Sequence, residues 1–216
     1  MARIAVIGGH GKVALHLARI LGERGEQVTS VFRNPDHTDD IAATGARPVV
    51  ADIEAMHTGG LADVLMGHDA VVFSAGAGGG DPARTYAVDR DAAIRVIDAA
   101  AQAGVRRFVM VSYFGAGADH GVPVDNSFFA YAEAKAAADA HLRDSGLDWT
   151  VLGPGRLTLD PATGRIALGV QARDGQVSRE DVALVAAAAL ANDTTIARTI
   201  EFNNGDIPIE QALAAR

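Results

Sequence analysis

Short runs rich in β-branched residues alternate with longer Ala/Leu-rich segments along most of the chain, and this alternation restricts the fold more than any other feature. The runs are "RIAVIG", "QVTSVF", "RPVVAD", "DAVVFSAG", "RRFVMVS", "DWTVLGP" and "RTIEFNN". Residues 12–24, 83–103 and 128–145, between them, have helical spacing. Strands that read as continuous apolar runs are buried on both faces, so their alternation with helices predicts a parallel sheet covered on both sides. The expected class is α/β, a Rossmann-type doubly wound parallel sheet. A further helix is predicted in "SREDVALVAAAALAND", with Ser178 and Asp181 as its capping pair.

At 216 residues without a linker-like interruption, the chain is expected to form a single domain over 1–216. A formal charge of −8 argues against a nucleic-acid backbone or an anionic membrane as partner, because both reward a basic face. Cysteine is absent, which excludes disulfides and thiolate metal sites and agrees with a reducing compartment. The apolar run in "MARIAVIGGHG" is too short for a signal peptide, and "VALVAAAALA" is too short to span a bilayer. A cytoplasmic location is expected. No feature indicates an oligomeric state.

In "RIAVIGGHGKVALHLARIL" a strand runs directly into Gly8, Gly9, Gly11 and Ala14, and a helix pattern begins near Lys12. Gly8 suits a tight turn, Gly11 a close approach of the backbone to a diphosphate, and Ala14 close packing of helix on sheet. The helix N-terminus then offers free N–H groups to an anion. A nucleoside-triphosphate loop is a poorer match, since Val6 and Val13 stand where it needs Gly and Ser or Thr. At the end of the second strand Arg33 is read as the partner of the extra phosphate of NADP, where an NAD site usually has a carboxylate. The competing reading is a solvated loop charge. Asp52 either accepts from an adenine amino group or shapes its turn. The glycine-dense loop "GAGGGDP" follows the fourth strand, as a turn or as a lip over a ligand.

The chain has two lysines against seventeen arginines, and one of them, Lys135, lies four residues after Tyr131 in "YAEAK". Positions i and i+4 share a helix face, and an adjacent ammonium is expected to lower the phenol's pKa and prepare it for proton transfer to a carbonyl oxygen. With so few of either residue, chance gives this spacing about 0.03 times per chain; the bland alternative is an exposed helix pair. Ser112, at the end of the fifth strand, is expected to hold the substrate oxygen, or else to be an ordinary strand-end serine.

Taken in order, "GGHGKVA", "FRNP", "AD", "FSAG", the serine of "VSYFGA", "YAEAK" and "GPGRL" resemble the short-chain dehydrogenase/reductase superfamily. They look most like its atypical NAD(P)-binding members, the NmrA-like and flavin- or biliverdin-reductase-like relatives. The resemblance covers essentially the whole chain. It implies that Gly8, Gly9, His10, Gly11, Lys12 and Val13 form the diphosphate turn and that Arg33 meets the NADP phosphate. It further places Asp52 and Ile53 beside adenine, Ser74, Ala75 and Gly76 beside ribose and diphosphate, and Pro154, Gly155 and Leu157 beside nicotinamide. Ser112, Tyr131 and Lys135 match the catalytic set, with Lys135 also reaching the nicotinamide ribose, and residues 154–216 contribute the substrate side. One departure is Asp89, where the fuller set has an asparagine; a carboxylate accepts but cannot donate as an amide does.

The activity this implies is NADPH-dependent reduction of a small carbonyl, quinone or flavin-like acceptor. The short region after "GPGRL" disfavours sugar-nucleotide epimerisation. The alternative is a non-catalytic NADP(H) sensor of the NmrA-like type. Residues 114–130 are expected to line the substrate pocket, with Phe114, Phe128 and Phe129 as walls or as core. Metal chemistry is not expected, because the seven histidines are scattered; His10 alone falls in the presumed site, over the diphosphate or as a plain turn residue.

Overall fold

The computed structural model describes residues 1–169 and 175–214. Its strands are β1 (Arg3–Ile7), β2 (Gln27–Phe32), β3 (Arg47–Val50), β4 (Ala70–Phe73), β5 (Arg107–Val111), β6 (Asp148–Pro154), β7 (Arg156–Thr158), β8 (Arg165–Leu168), β9 (Gln176–Ser178), β10 (Arg198–Asn204) and β11 (Ile207–Pro208). The helices are α1 (Lys12–Glu23), α2 (Thr38–Ala42), α3 (Thr58–Leu65), α4 (Pro82–Thr85), α5 (Ala93–Gln102), α6 (Phe129–Asp144), α7 (Arg179–Leu190) and α8 (Ile209–Ala214). The main sheet has the order β11-β8-β10-β6-β5-β4-β1-β2-β3. From β3 to β10 every neighbouring pair is parallel. This is the expected Rossmann-like arrangement, and the order reverses between β1 and β4, which opens a crevice at the carboxyl ends of those strands.

The parallel part consists of the seven apolar runs evident in the sequence. Beyond β10 the sheet continues with β8 and then β11, both antiparallel to their inner neighbour, and β7 pairs with β9 in a separate ribbon. These four segments are two to four residues long, too short to show a period in the sequence.

Each face of the sheet is covered for the same reason: helices place apolar residues on one side at i, i+3 and i+4. On one face α1 buries Val13, Ala14, Leu17, Ala18 and Leu21, together with residues of α7 and α8. On the other, α3, α5 and α6 contribute Leu61, Leu65, Val96, Ile97, Ala138 and Leu142. A fully buried Leu or Ile of this kind contributes about 1.5–3 kcal/mol. Ser178 caps α7 by accepting from the Asp181 N–H at 2.9 Å, as the sequence predicts. The buried Asp181 carboxylate accepts from the Ser178 hydroxyl and from the Thr163 and Gly164 N–H groups, and so fixes the loop before β8.

Two features of β5 and its surroundings set the positions of the residues at its carboxyl end. At the start of the strand the partly buried Arg107 guanidinium donates to the Asp148 and Ala189 carbonyls and to the Thr150 and Thr195 hydroxyls at 2.7–2.9 Å, linking β5, β6 and the end of α7. The chain also passes from α4 to α5 through a π-helical stretch, Tyr86–Ala92, which contains Asp89. Among the described residues, no helix is long and apolar enough to cross a membrane.

Candidate functional site

Two concavities lie along the carboxyl ends of the strands. The narrower, about 340 Å³, is bounded by Gly8, His10 and Gly11, by Arg33 after β2, by Asp52, Ile53 and Glu54 after β3, by Ser74, Ala75 and Gly76 after β4, and by Arg84. Gly8 has φ +84° and a Cβ there would come within 2.6 Å of the Ala75 backbone, so only glycine allows the β1 and β4 loops to cross. A Cβ on Gly11 would stand 3.1 Å from the Gly8 carbonyl oxygen. Gly11 caps α1 without a side-chain bond, which leaves the N–H groups of the first turn for an anion. An uncapped helix start, a cradle that side chains would fill and two arginines fit a dinucleotide.

Three of the residues expected in the diphosphate turn do not line this cleft. Gly9 is buried, and a Cβ on it would meet the Ser30 side chain at 2.6 Å, so its role is packing against β2. Val13 is in the core, and Lys12 is exposed at the first position of α1. His10 does border the cleft; its ring stacks on His37 with centroids 3.5 Å apart, and its Nε2 lies 3.0 Å from the Asp40 carboxylate. Asp52 accepts from the Glu54 N–H at 3.0 Å, so it shapes the turn as well as bordering the cleft. Arg33 is not a free cation: it donates to Glu54 Oε1 at 2.6 Å, and Arg84 approaches the same oxygen at 3.5 Å. Glu54 and Arg84 carry no signal in the sequence, because their pairing depends on bringing three separate loops together.

The wider cavity, about 970 Å³, is bounded among the described residues by Ser112, Tyr113 and Phe114 after β5, Phe128 and Tyr131 at the start of α6, Pro154 to Leu157, Glu201 and Asn203 on β10, and Gly169 and Gly175. Its wall is an aromatic trio: Tyr113 meets Phe128 edge-on at 5.1 Å, and Tyr131 lies 5.6 Å and 5.1 Å from these rings. Of the phenylalanines anticipated as walls, Phe114 and Phe128 are here, whereas Phe129 packs on His120 instead. Tyr113 is an unanticipated member, and its buried hydroxyl makes no hydrogen bond.

Tyr131 and Lys135 lie on one face of α6, and the next position of that face is Asp139. The side chains of Lys135 and Asp139 are buried, as is Asp89 on the π-helical stretch. Lys135 donates to the Val111 carbonyl at 2.9 Å and contacts Met110 Sδ at 3.3 Å, so its ammonium is enclosed and borders neither cavity. Ser112 donates to Asp139 Oδ2 at 2.6 Å, while Asp139 Oδ1 is buried without a hydrogen bond. Asp89 accepts from the Ala77 N–H at 3.0 Å and thereby holds the glycine-dense loop after β4.

Burial dominates the proton affinities in this cluster. It pushes Asp89 and Asp139 above the usual carboxylate range, against the pull of Lys135, and pushes Lys135 below the usual amine range, against the pull of the two carboxylates. Tyr131 is raised well above an ordinary phenol, first by burial and then by Asp89 and Asp139. The lowering expected from Lys135 is therefore not found. Two carboxylates outnumber one ammonium, and the phenol is desolvated, so Tyr131 keeps its proton at neutral pH. Asp139 was legible in principle: Tyr131, Lys135 and Asp139 form an i, i+4, i+8 series.

Among the described residues no group of His, Asp and Glu side chains is arranged to hold a metal ion. A family model described as NAD(P)H-binding matches residues 8–193. The "Uncharacterized sugar epimerase YhfK" of Bacillus subtilis is 32% identical over 98% of this chain and 98% of its own length. A solved "Putative NAD-dependent epimerase/dehydratase" of Bacillus halodurans is 32% identical, covers 100% of both chains and superposes with a TM-score of 0.92. A short-chain dehydrogenase/reductase of Veillonella parvula in complex with NADP shares the fold at a TM-score of 0.74 and 20% identity, over 97% of this chain and 98% of that one.

Proposed function

The chain belongs to the NAD(P)H-binding family, and on that premise we propose that it is an NADPH-dependent oxidoreductase reducing a small carbonyl, quinone or flavin-like acceptor. The observation that carries this reading is Tyr131: a phenol that burial keeps protonated, at the wall of an aromatic cavity beside the carboxyl ends of β5 and β6. When bound, the reduced nicotinamide supplies the hydride. Tyr131 gives its proton to the acceptor oxygen as negative charge develops there, and recovers one from solvent afterwards. The direction favoured is reduction, because the phenol rests with the proton that reduction consumes, whereas oxidation would need a phenolate that burial makes scarce at neutral pH.

Ser112 takes a different part from the one expected. Its hydrogen is committed to Asp139, which leaves only its lone pairs to offer, and these would receive the hydrogen bond of the hydroxyl product rather than donate to the carbonyl. Asp139 is thus a positioning residue, and Lys135 offsets the charge of Asp89 and Asp139, both of which oppose phenolate formation. Gly8 and Gly11 with the start of α1 would hold the diphosphate, Asp52 and Ile53 the adenine side, Ser74 to Gly76 the adjoining ribose, and Pro154, Gly155 and Leu157 the nicotinamide end. The aromatic walls favour a flat or apolar acceptor over a hydroxyl-rich sugar.

Tyr131→Phe is expected to lower carbonyl turnover by about 100-fold or more and to leave NADPH affinity nearly unchanged. Turnover equal to the parent's would remove Tyr131 as the acid. A second reading, a non-catalytic NADP(H) sensor, is favoured by the enclosure of Lys135 away from both cavities. A sensor would separate NADP+ from NADPH in affinity and oxidise no NADPH across a panel of carbonyl, quinone and flavin acceptors.

A further inference from the structure

Arg33, Glu54 and Arg84 come from three different connections and meet on one side of the narrower cleft, with both guanidiniums directed at the same Glu54 oxygen. The main chain beneath Glu54 is held firmly. Arg95 donates to the carbonyls of Ile53 and Glu54 at 3.0 and 3.1 Å, and the Glu54 N–H is fixed by Asp52. Arg84 is held as well, donating through its other terminal nitrogen to the Ala77 carbonyl at 3.0 Å. The backbone therefore cannot retreat, while the carboxylate can swing on its own side-chain torsions.

We infer that Glu54 is a specificity residue, an internal carboxylate that competes with the 2′-phosphate of NADP for Arg33 and Arg84. This rests on the dinucleotide-binding reading above. Two guanidiniums and one carboxylate leave one net positive charge, a poor match for a phosphate dianion and a better one once Glu54 has turned aside. With a dinucleotide that lacks the phosphate, Glu54 keeps both arginines and has a lone pair for a ribose hydroxyl. Arg33, Arg84 and Glu54 side chains are 53%, 40% and 24% exposed, so their mutual pairing is screened and readily exchanged for a ligand. Arg33 alone would make the site an NADP site; Glu54 moderates that preference, and Arg84 supplies the second cation that restores it when Glu54 moves.

The test is calorimetric titration of the parent chain, Glu54→Gln and Arg84→Met with NADP+ and with NAD+, without any acceptor. Glu54→Gln keeps the size of the side chain at a partly exposed position, so folding is not at risk. It is expected to raise the NADP+ over NAD+ affinity ratio by on the order of tenfold, and Arg84→Met is expected to lower it. An unchanged ratio in Glu54→Gln overturns the inference while leaving dinucleotide binding intact. A parent chain that binds neither dinucleotide overturns the functional reading itself and the inference with it.

Discussion

Strand β5 has a sequestered cation at each end, and the two are satisfied in opposite ways. At its start, Arg107 makes its hydrogen bonds to carbonyls and hydroxyls, groups whose charge is fixed, while the Asp193 and Asp148 carboxylates act on it through space without a hydrogen bond to it. The Ala189 carbonyl belongs to the end of α7, where the helix dipole favours a cation. At its end, Lys135 bonds to one carbonyl and one thioether but owes its charge to Asp89 and Asp139, which titrate. The first arrangement has one protonation state and joins secondary-structure elements. The second distributes protons among several groups next to a cavity, and this is the property that acid–base chemistry needs.

The contrast is broken most severely by Arg107→Met. It removes four charge-assisted hydrogen bonds, to the Asp148 and Ala189 carbonyls and the Thr150 and Thr195 hydroxyls, and should cost about 3 kcal/mol or more in urea denaturation, with NADPH affinity of the folded protein unchanged. If affinity falls along with stability, the two ends of β5 are not independent. Lys135→Met should be milder for the fold and dependent on pH. Without the ammonium, the raised folded pKa values of Asp89 and Asp139 rise further, so the folded chain holds protons that the unfolded chain releases. Its stability is then retained at low pH and lost as pH climbs through those folded values. Thermal melts at pH 5 and pH 8 should therefore give a deficit of roughly 2 kcal/mol at the higher pH and little at the lower. An equal deficit at both would mean that Lys135 acts through packing alone.

The smallest effect sharpens the comparison. Asp139→Asn retains an acceptor for Ser112 but removes one of the charges that hold the Tyr131 proton. Spectrophotometric titration of the phenols, with Tyr131→Phe as the reference that isolates its signal, should show the Tyr131 pKa falling toward its ordinary value. No movement would exclude Asp139 from the electrostatics of the site.

The architecture was legible because each of the seven principal strands is an apolar run and the strand–glycine–helix junction at Gly8 to Lys12 is local. The face shared by Tyr131 and Lys135 was legible for the same reason, since helical spacing alone fixes it. The sign of the tyrosine's shift was not, because it depends on burial and on Asp89, which lies 42 positions from Tyr131 in the chain. Gly9 reads as a phosphate residue from its neighbours, yet its missing Cβ makes room for Ser30. Glu54 and Arg84 have no local signature at all; only the convergence of loops after β2, β3 and β4 gives them a common task.

The stretch from Tyr86 to Ala92 ties a buried carboxylate to helical pitch. Deleting a single residue there would let an ordinary α-helix form and rotate Asp89 by about 100° relative to the residues C-terminal to it, releasing the Ala77 N–H and leaving Lys135 with one carboxylate. In this part of the chain, the count of residues matters as much as their identity, and variation by insertion or deletion should be tolerated far less here than in the exposed glycine loop a few positions upstream.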